Sequence, residues 1–274
     1  MESRIPPTEI RRELRKEIDF GCPIQGCGSP FLEYHHFNPP WHEGHTHNLE
    51  GMIALCPSHH IMADRGTWTI KELELLKKQK ANNKVNPVRG KLYWNLINSV
   101  VMAGSNFLIV QDRLSLRVLE NEIFGLSENE NGQMTLNALL RDQSGEIIIH
   151  IIDNDIIVAP DKINDFVCNA SGNKIRIESR KSQIYLEFSI KREKINKMPQ
   201  DLVNLISSAQ VEIPLISLKA KVISNLFDIS IQNNQIVLDF RKLGYDKTSL
   251  SNRIIGPSGS INITVNNHEF VHLG

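Results

Sequence analysis

Residues 22–60 read CPIQGCGSPFLEYHHFNPPWHEGHTHNLEGMIALCPSHH and hold seven of the chain's ten histidines and three of its four cysteines. Cys22 and Cys27 flank a Gly/Pro-containing knuckle that can turn two thiolates toward one ion. Cys56 and His59 repeat the geometry with a two-residue gap, which completes a Cys3His set suited to tetrahedral zinc. Disulfide pairing is the other use of such cysteines. Three local thiols leave one over, however, and the opening MESRIPPTEIRRELRKEIDF is charged and amphipathic rather than a secretory leader.

A second constellation lies inside the first. His35 and His36 fall on a short strand-like run, EYHHF, where successive side chains alternate between faces, so the two imidazoles are expected to do different jobs. His60 directly follows the last zinc ligand, and Asp64 lies one helical turn further on. The i, i+4 spacing puts both on one helix face, as two ligands of one divalent ion require.

YHHFNPPW (34–41) and GMIALCPSHH (51–60), framed by Cys22 and Cys27, resemble the HNH endonucleases of the ββα-metal class over about residues 20–66. The resemblance implies that His36 is the general base, that His35 and His60 hold a catalytic divalent ion, and that Cys22, Cys27, Cys56 and His59 hold structural zinc. Asp64 is added as a further ligand from its helical spacing alone. Two positions depart from the common pattern. The middle Asn of the family falls where this chain has Gly51, which leaves Asn48 through a longer loop, His47, or the Gly51 backbone to fill that role. His59 stands where a Cys is more usual, and imidazole binds zinc well.

The chemistry implied is phosphodiester hydrolysis. It needs a water deprotonated by neutral imidazole, with an unperturbed pKa of about 6.5, and a cation to stabilise charge on the phosphate and the leaving 3′ oxygen. The mixed imidazole and carboxylate set accepts Mg, Mn, Ni or Zn; Mg or Mn is expected in the cell.

The chain has 274 residues with no net charge, which argues against a protein that coats DNA nonspecifically, and no apolar run approaches a membrane span. A cytoplasmic location is expected. Thr8 is placed to cap a helix carrying Arg11, Arg12, Arg15 and Lys16, read as a solvated, salt-bridged face. A second helix is expected over Thr69–Gln79, with Ile70, Leu73, Leu75 and Leu76 as its apolar stripe. Lys77, Lys78, Lys80, Lys84, Arg89 and Lys91 follow without an acid between them and read as a linker that also tracks phosphate. LYWNLINSVVMAG is read as a connecting helix burying Trp94 and Leu96.

From Asn106 onward, apolar alternation broken by DND, SGN, KSQ and NNQ turns predicts strands, with helical spacing recurring near 195–211. Together these readings predict an α+β chain. A small zinc-bound ββα-metal nuclease domain with its N-terminal helix occupies 1–85, a basic, helical linker 86–105, and a β-rich sandwich, roll or solenoid 106–274. His150, His268, His272 and Cys168 are isolated there and read as packing or surface.

The function expected is metal-dependent DNA cleavage, in a restriction or anti-phage setting by family resemblance. DNA is then the partner, and the β-rich part serves homo-oligomer assembly, targeting, or regulation by a further ligand or protein. The contrasting reading is a zinc-stabilised DNA-binding module in which His36 no longer works.

Overall fold

The computed structural model describes residues 3–80, 88–94, 99–110, 113–118, 121–142, 144–179, 184–206, 211–223, 227–244, 246–252, 254–255, 260–263 and 272–273. In chain order the elements are α1 (Thr8–Glu17), β1 (Glu33–His36), α2 (Trp41–Gly44), β2 (Met52–Leu55), α3 (Pro57–Asp64), α4 (Ile70–Lys80), β3 (Val88–Lys91), β4 (Ser99–Ala103), β5 (Asn106–Val110), β6 (Arg113–Val118), β7 (Asn121–Glu128), β8 (Met134–Arg141), β9 (Ile147–Ile152) and β10 (Asp155–Val158). They continue as β11 (Ile163–Cys168), β12 (Lys174–Ser179), β13 (Ile184–Lys194), α5 (Gln200–Leu205), β14 (Glu212–Ile223), β15 (Asp228–Gln232), β16 (Gln235–Asp239), β17 (Lys247–Leu250), β18 (Ile254–Ile255), β19 (Ser260–Ile263) and β20 (His272–Leu273).

The expected α+β class, with a small ββα-metal domain set ahead of a β-rich one, is overturned. Among the described residues 47% are strand and 23% helix, and large antiparallel sheets dominate. The chain divides into two compact units, one of Met1–Lys91 with Ile156–Arg180, the other of Leu92–Asp155 with Lys181–Gly274. The expected nuclease residues therefore share a unit with a hairpin drawn from deep in the β-rich sequence. The physical reason is a buried charge network. Arg15 of α1 donates to both carboxylate oxygens of Asp165 on β11, at 2.9 Å each, and to Tyr34 Oη of β1 at 2.6 Å. Arg176 of β12 adds a bond to Asp165 at 2.7 Å, and Arg12 one at 3.3 Å. A buried arginine without such a partner would be strongly unfavourable, so α1 is held to this hairpin.

In the first unit, β1 and β2 pair antiparallel, with His35 opposite Ile53 and His36 opposite Met52. MIAL of β2 is buried along its whole length, and Leu14, Ile18, Leu32 and Leu73 close the core around it. Pro57 opens α3 at a position where its missing N–H costs nothing. α4 begins with a reciprocal cap in which the Glu72 carboxylate accepts from Thr69 N and Thr69 Oγ1 accepts from Glu72 N.

Several local expectations change. Pro7, not Thr8, is the N-cap residue of α1, and Thr8 lies inside the helix, accepting from Arg11. Arg15 is buried rather than solvated. Only Leu73 and Leu76 of the α4 stripe pack inward, while Ile70 and Leu75 are exposed. Lys77 is buried, donating to Leu49 O and pairing with Glu17, so it cannot track phosphate. Ser99–Ala103, read as helix, is strand, and Arg89 and Lys91 lie on β3. Trp94 is buried as expected; Lys84, Leu96 and His268 lie outside the described residues.

The second unit holds two facing sheets. In one, β6, β7, β8 and β9 form an antiparallel meander, with β19 added parallel to β6 and β20 antiparallel to β19. In the other, β13 to β17 are antiparallel in order. β4 lies parallel to Leu215–Leu218 of β14, and β5 and β18 continue outward from it. Phe124 and Phe188, from opposite sheets, stack at 5.0 Å. Where the sequence left sandwich, roll and solenoid open, the strand orders establish two large, mainly antiparallel sheets and no more. The DND and NNQ turns place Asp153, Asn154, Asn233 and Asn234 at positive φ, which Asn and Asp tolerate and tight hairpins require.

Candidate metal centres and cleft

Cys22 and Cys27 are brought together by the knuckle, where Cys27 N donates to Ile24 O and Gly28 N to Cys22 O. Gly21 permits a close approach, since a Cβ there would sit 2.8 Å from Gly28 O. Cys56 precedes α3 and His59 lies in its first turn. His59 Nδ1 is 3.3 Å from Cys22 Sγ and 3.2 Å from Cys56 Sγ, and Cys27 Sγ is 3.8 Å from Cys56 Sγ. Ligands at zinc distances in a tetrahedron stand about 3.5–3.8 Å apart, close to these separations. The neighbouring thiols of Cys27 and Cys56, with burial, push the Cys22 thiol far up, so ionising this set needs a cation at its centre. These four residues can hold a metal ion such as zinc.

His59 and His60 are adjacent on α3 and about 100° apart around it, so they face different sets. His60 Nδ1 is 3.3 Å from Asp64 Oδ2, and His35 Nδ1 of β1 is 3.1 Å from Asp64 Oδ1. The ligand atoms of these three residues all lie within 4.8 Å of one another. Burial, then the neighbouring His60, lowers the His35 pKa and favours the neutral form that binds metals. Glu33, unnoticed in the sequence, approaches the same place, with Oε2 3.5 Å from His60 Nδ1. Its i, i+2 relation to His35 on a strand was the available signal.

The two adjacent histidines meet different groups, His35 facing Asp64 and His60, and His36 facing His47 and Trp41. Both line one cleft of about 430 Å³, with Asp64, Arg4, Trp41 and His42 among the other lining residues. His36 ends its strand, and Phe37 turns back to bridge Pro40. Its Nε2 is 3.0 Å from His47 Nδ1, and His47 Nε2 is 2.9 Å from the carbonyl oxygen of Ser3. Trp41 stacks on His47 at 5.1 Å. Burial, then His47, lowers the His36 pKa to about 4.

No family model, curated protein or solved structure matches this chain.

Of the three candidates for the middle position, Asn48 does not join His36 in the cleft. Its side chain accepts from Glu50 N as a turn cap, and it lines a different hollow with Glu17, Glu50 and Lys77. His47 makes the side-chain contact to His36. Gly51 supports the strand end through its carbonyl, which accepts from Phe37 N and Asn38 N. Cys168 is buried, which pushes its thiol up to about 12. Among the described residues no helix is long and apolar enough to cross a membrane.

Proposed function

We propose that the chain is a metal-dependent endonuclease of the HNH kind that hydrolyses phosphodiester bonds in DNA. The observation that carries this reading is the shared cleft, in which a neutral, buried His36 stands beside the convergent His35 and Asp64 while the thiol cluster forms a separate set. His35, His60 and Asp64 would hold the catalytic divalent ion, Mg or Mn with Ni as an alternative, and the cysteine cluster the structural zinc. When bound, the divalent ion supplies Lewis-acid polarisation of the phosphate and stabilises charge on the leaving oxygen.

The chain's own residues do the rest. With its pKa held to about 4, His36 is uncharged at neutral pH and can accept the proton of an attacking water. Arg4, at the cleft wall, supplies a fixed positive charge for a phosphate oxygen. Phe37, Pro40 and Trp68 add apolar surface to the cleft beside these groups.

The test is incubation of the purified protein with supercoiled plasmid and Mg, Mn or Ni, with and without chelator. Nicked or linear DNA that disappears with chelator is expected. A mobility shift without cleavage under every metal would mark a DNA-binding module instead.

A further inference from the structure

The contacts around His36 form a chain of hydrogen bonds whose direction is set at one end. The Ser3 carbonyl oxygen can only accept, so the 2.9 Å contact takes its hydrogen from His47 Nε2. A neutral His47 then carries a lone pair on Nδ1. The 3.0 Å contact between His47 Nδ1 and His36 Nε2 must in turn take its hydrogen from His36. A neutral imidazole has one N–H, so His36 Nδ1 is left unprotonated.

Resting on the nuclease reading above, we propose that the Ser3 carbonyl, acting through His47, locks His36 in its Nε2–H tautomer. His36 Nδ1 is thereby the atom that takes the proton, and His47 is a positioning residue of the site. In the step itself a water O–H bond breaks toward His36 Nδ1, and the water oxygen forms a bond to phosphorus. The P–O3′ bond breaks with its electron pair on O3′, which takes a proton from solvent. His36 becomes an imidazolium whose Nε2–H still donates to His47 Nδ1, so no partner has to turn during the reaction. Trp41 supports the arrangement by packing on both rings, at 5.0 Å from His36 and 5.1 Å from His47. The N-terminal segment at Ser3 is on this account part of the site, although it lies 44 positions from the ring it orients.

The experiment separates the two ends of the chain. His47→Asn puts an amide oxygen near the Nδ1 position and keeps the acceptor for His36. His47→Gln puts an amide nitrogen near the Nε2 position and keeps only the contact to Ser3, and His47→Ala removes both. With Mn and plasmid, kcat is expected to fall on the order of 100-fold in the Gln and Ala variants and by less than about fivefold in the Asn variant. KM for DNA and zinc content should be unchanged in all three. Side-chain nitrogen NMR of the parent should report His36 as the Nε2–H tautomer. An Nδ1–H tautomer, equal losses in the Asn and Gln variants, or a fully active Ala variant would each overturn the proposal. A parent that fails to cut under every metal tried sinks the nuclease reading and, with it, the catalytic half of this one. A cutting parent whose His36 carries Nδ1–H sinks this one alone.

Discussion

Gly51 shows how a single residue can look like a loss in the sequence and prove to be a requirement. A Cβ there would lie 1.6 Å from the Asn38 carbonyl oxygen, because the strand end carrying His36 folds back to give two N–H bonds to the Gly51 carbonyl. No side chain fits there, Asn included. Gly51→Ala should therefore cost at least about 1–3 kcal/mol in a urea titration, the penalty of forcing atoms into filled space. An unchanged midpoint would mean the close approach relaxes freely. That Cys22, Cys27, Cys56 and His59 come together was legible because such a cluster is written in short spacings. His47 was legible only as one of three options, since its contacts to His36 and Ser3 depend on how the loop folds.

At the level of elements, the short runs around the two candidate centres were readable because each is locally determined. β2 is continuously apolar, Pro57 marks the start of α3, and His60 and Asp64 sit one turn apart. The role of α1 was not readable. Its basic residues carry the alternation of a solvated face, and nothing near them in sequence announces that Arg15 pairs with Asp165, 150 positions away. Asp165→Ala strands a buried Arg15 and should cost about 3–5 kcal/mol, whereas Arg12→Ala, at a half-exposed partner, should cost under about 1 kcal/mol. Comparable midpoints for the two variants in chemical denaturation would refute the claim that this network ties α1 to β11.

On the scale of the whole molecule, apolar alternation revealed a β-rich chain from Asn106 onward, but not that its middle returns Ile156–Arg180 to the N-terminal unit. That partition depends on long-range pairing, which local patterns do not encode. All four thiolate-cluster residues belong to one unit. Metal analysis should find one zinc per chain in that cluster, and Cys56→Ala should abolish it and melt the helical signal of the first unit. The strand signal of the second unit should survive, because the four cluster residues all belong to the first unit. Simultaneous loss of both signals would show that the zinc cluster supports the entire chain.

In the proposed reaction, His36 removes a proton from the attacking water in the cleft it shares with His35 and Asp64. Single-turnover plasmid cleavage by His36→Ala, checked for unchanged zinc content, tests it most directly. A rate lower by roughly 10²–10⁴ with metal saturating is expected. A variant that cuts as fast as the parent would contradict it.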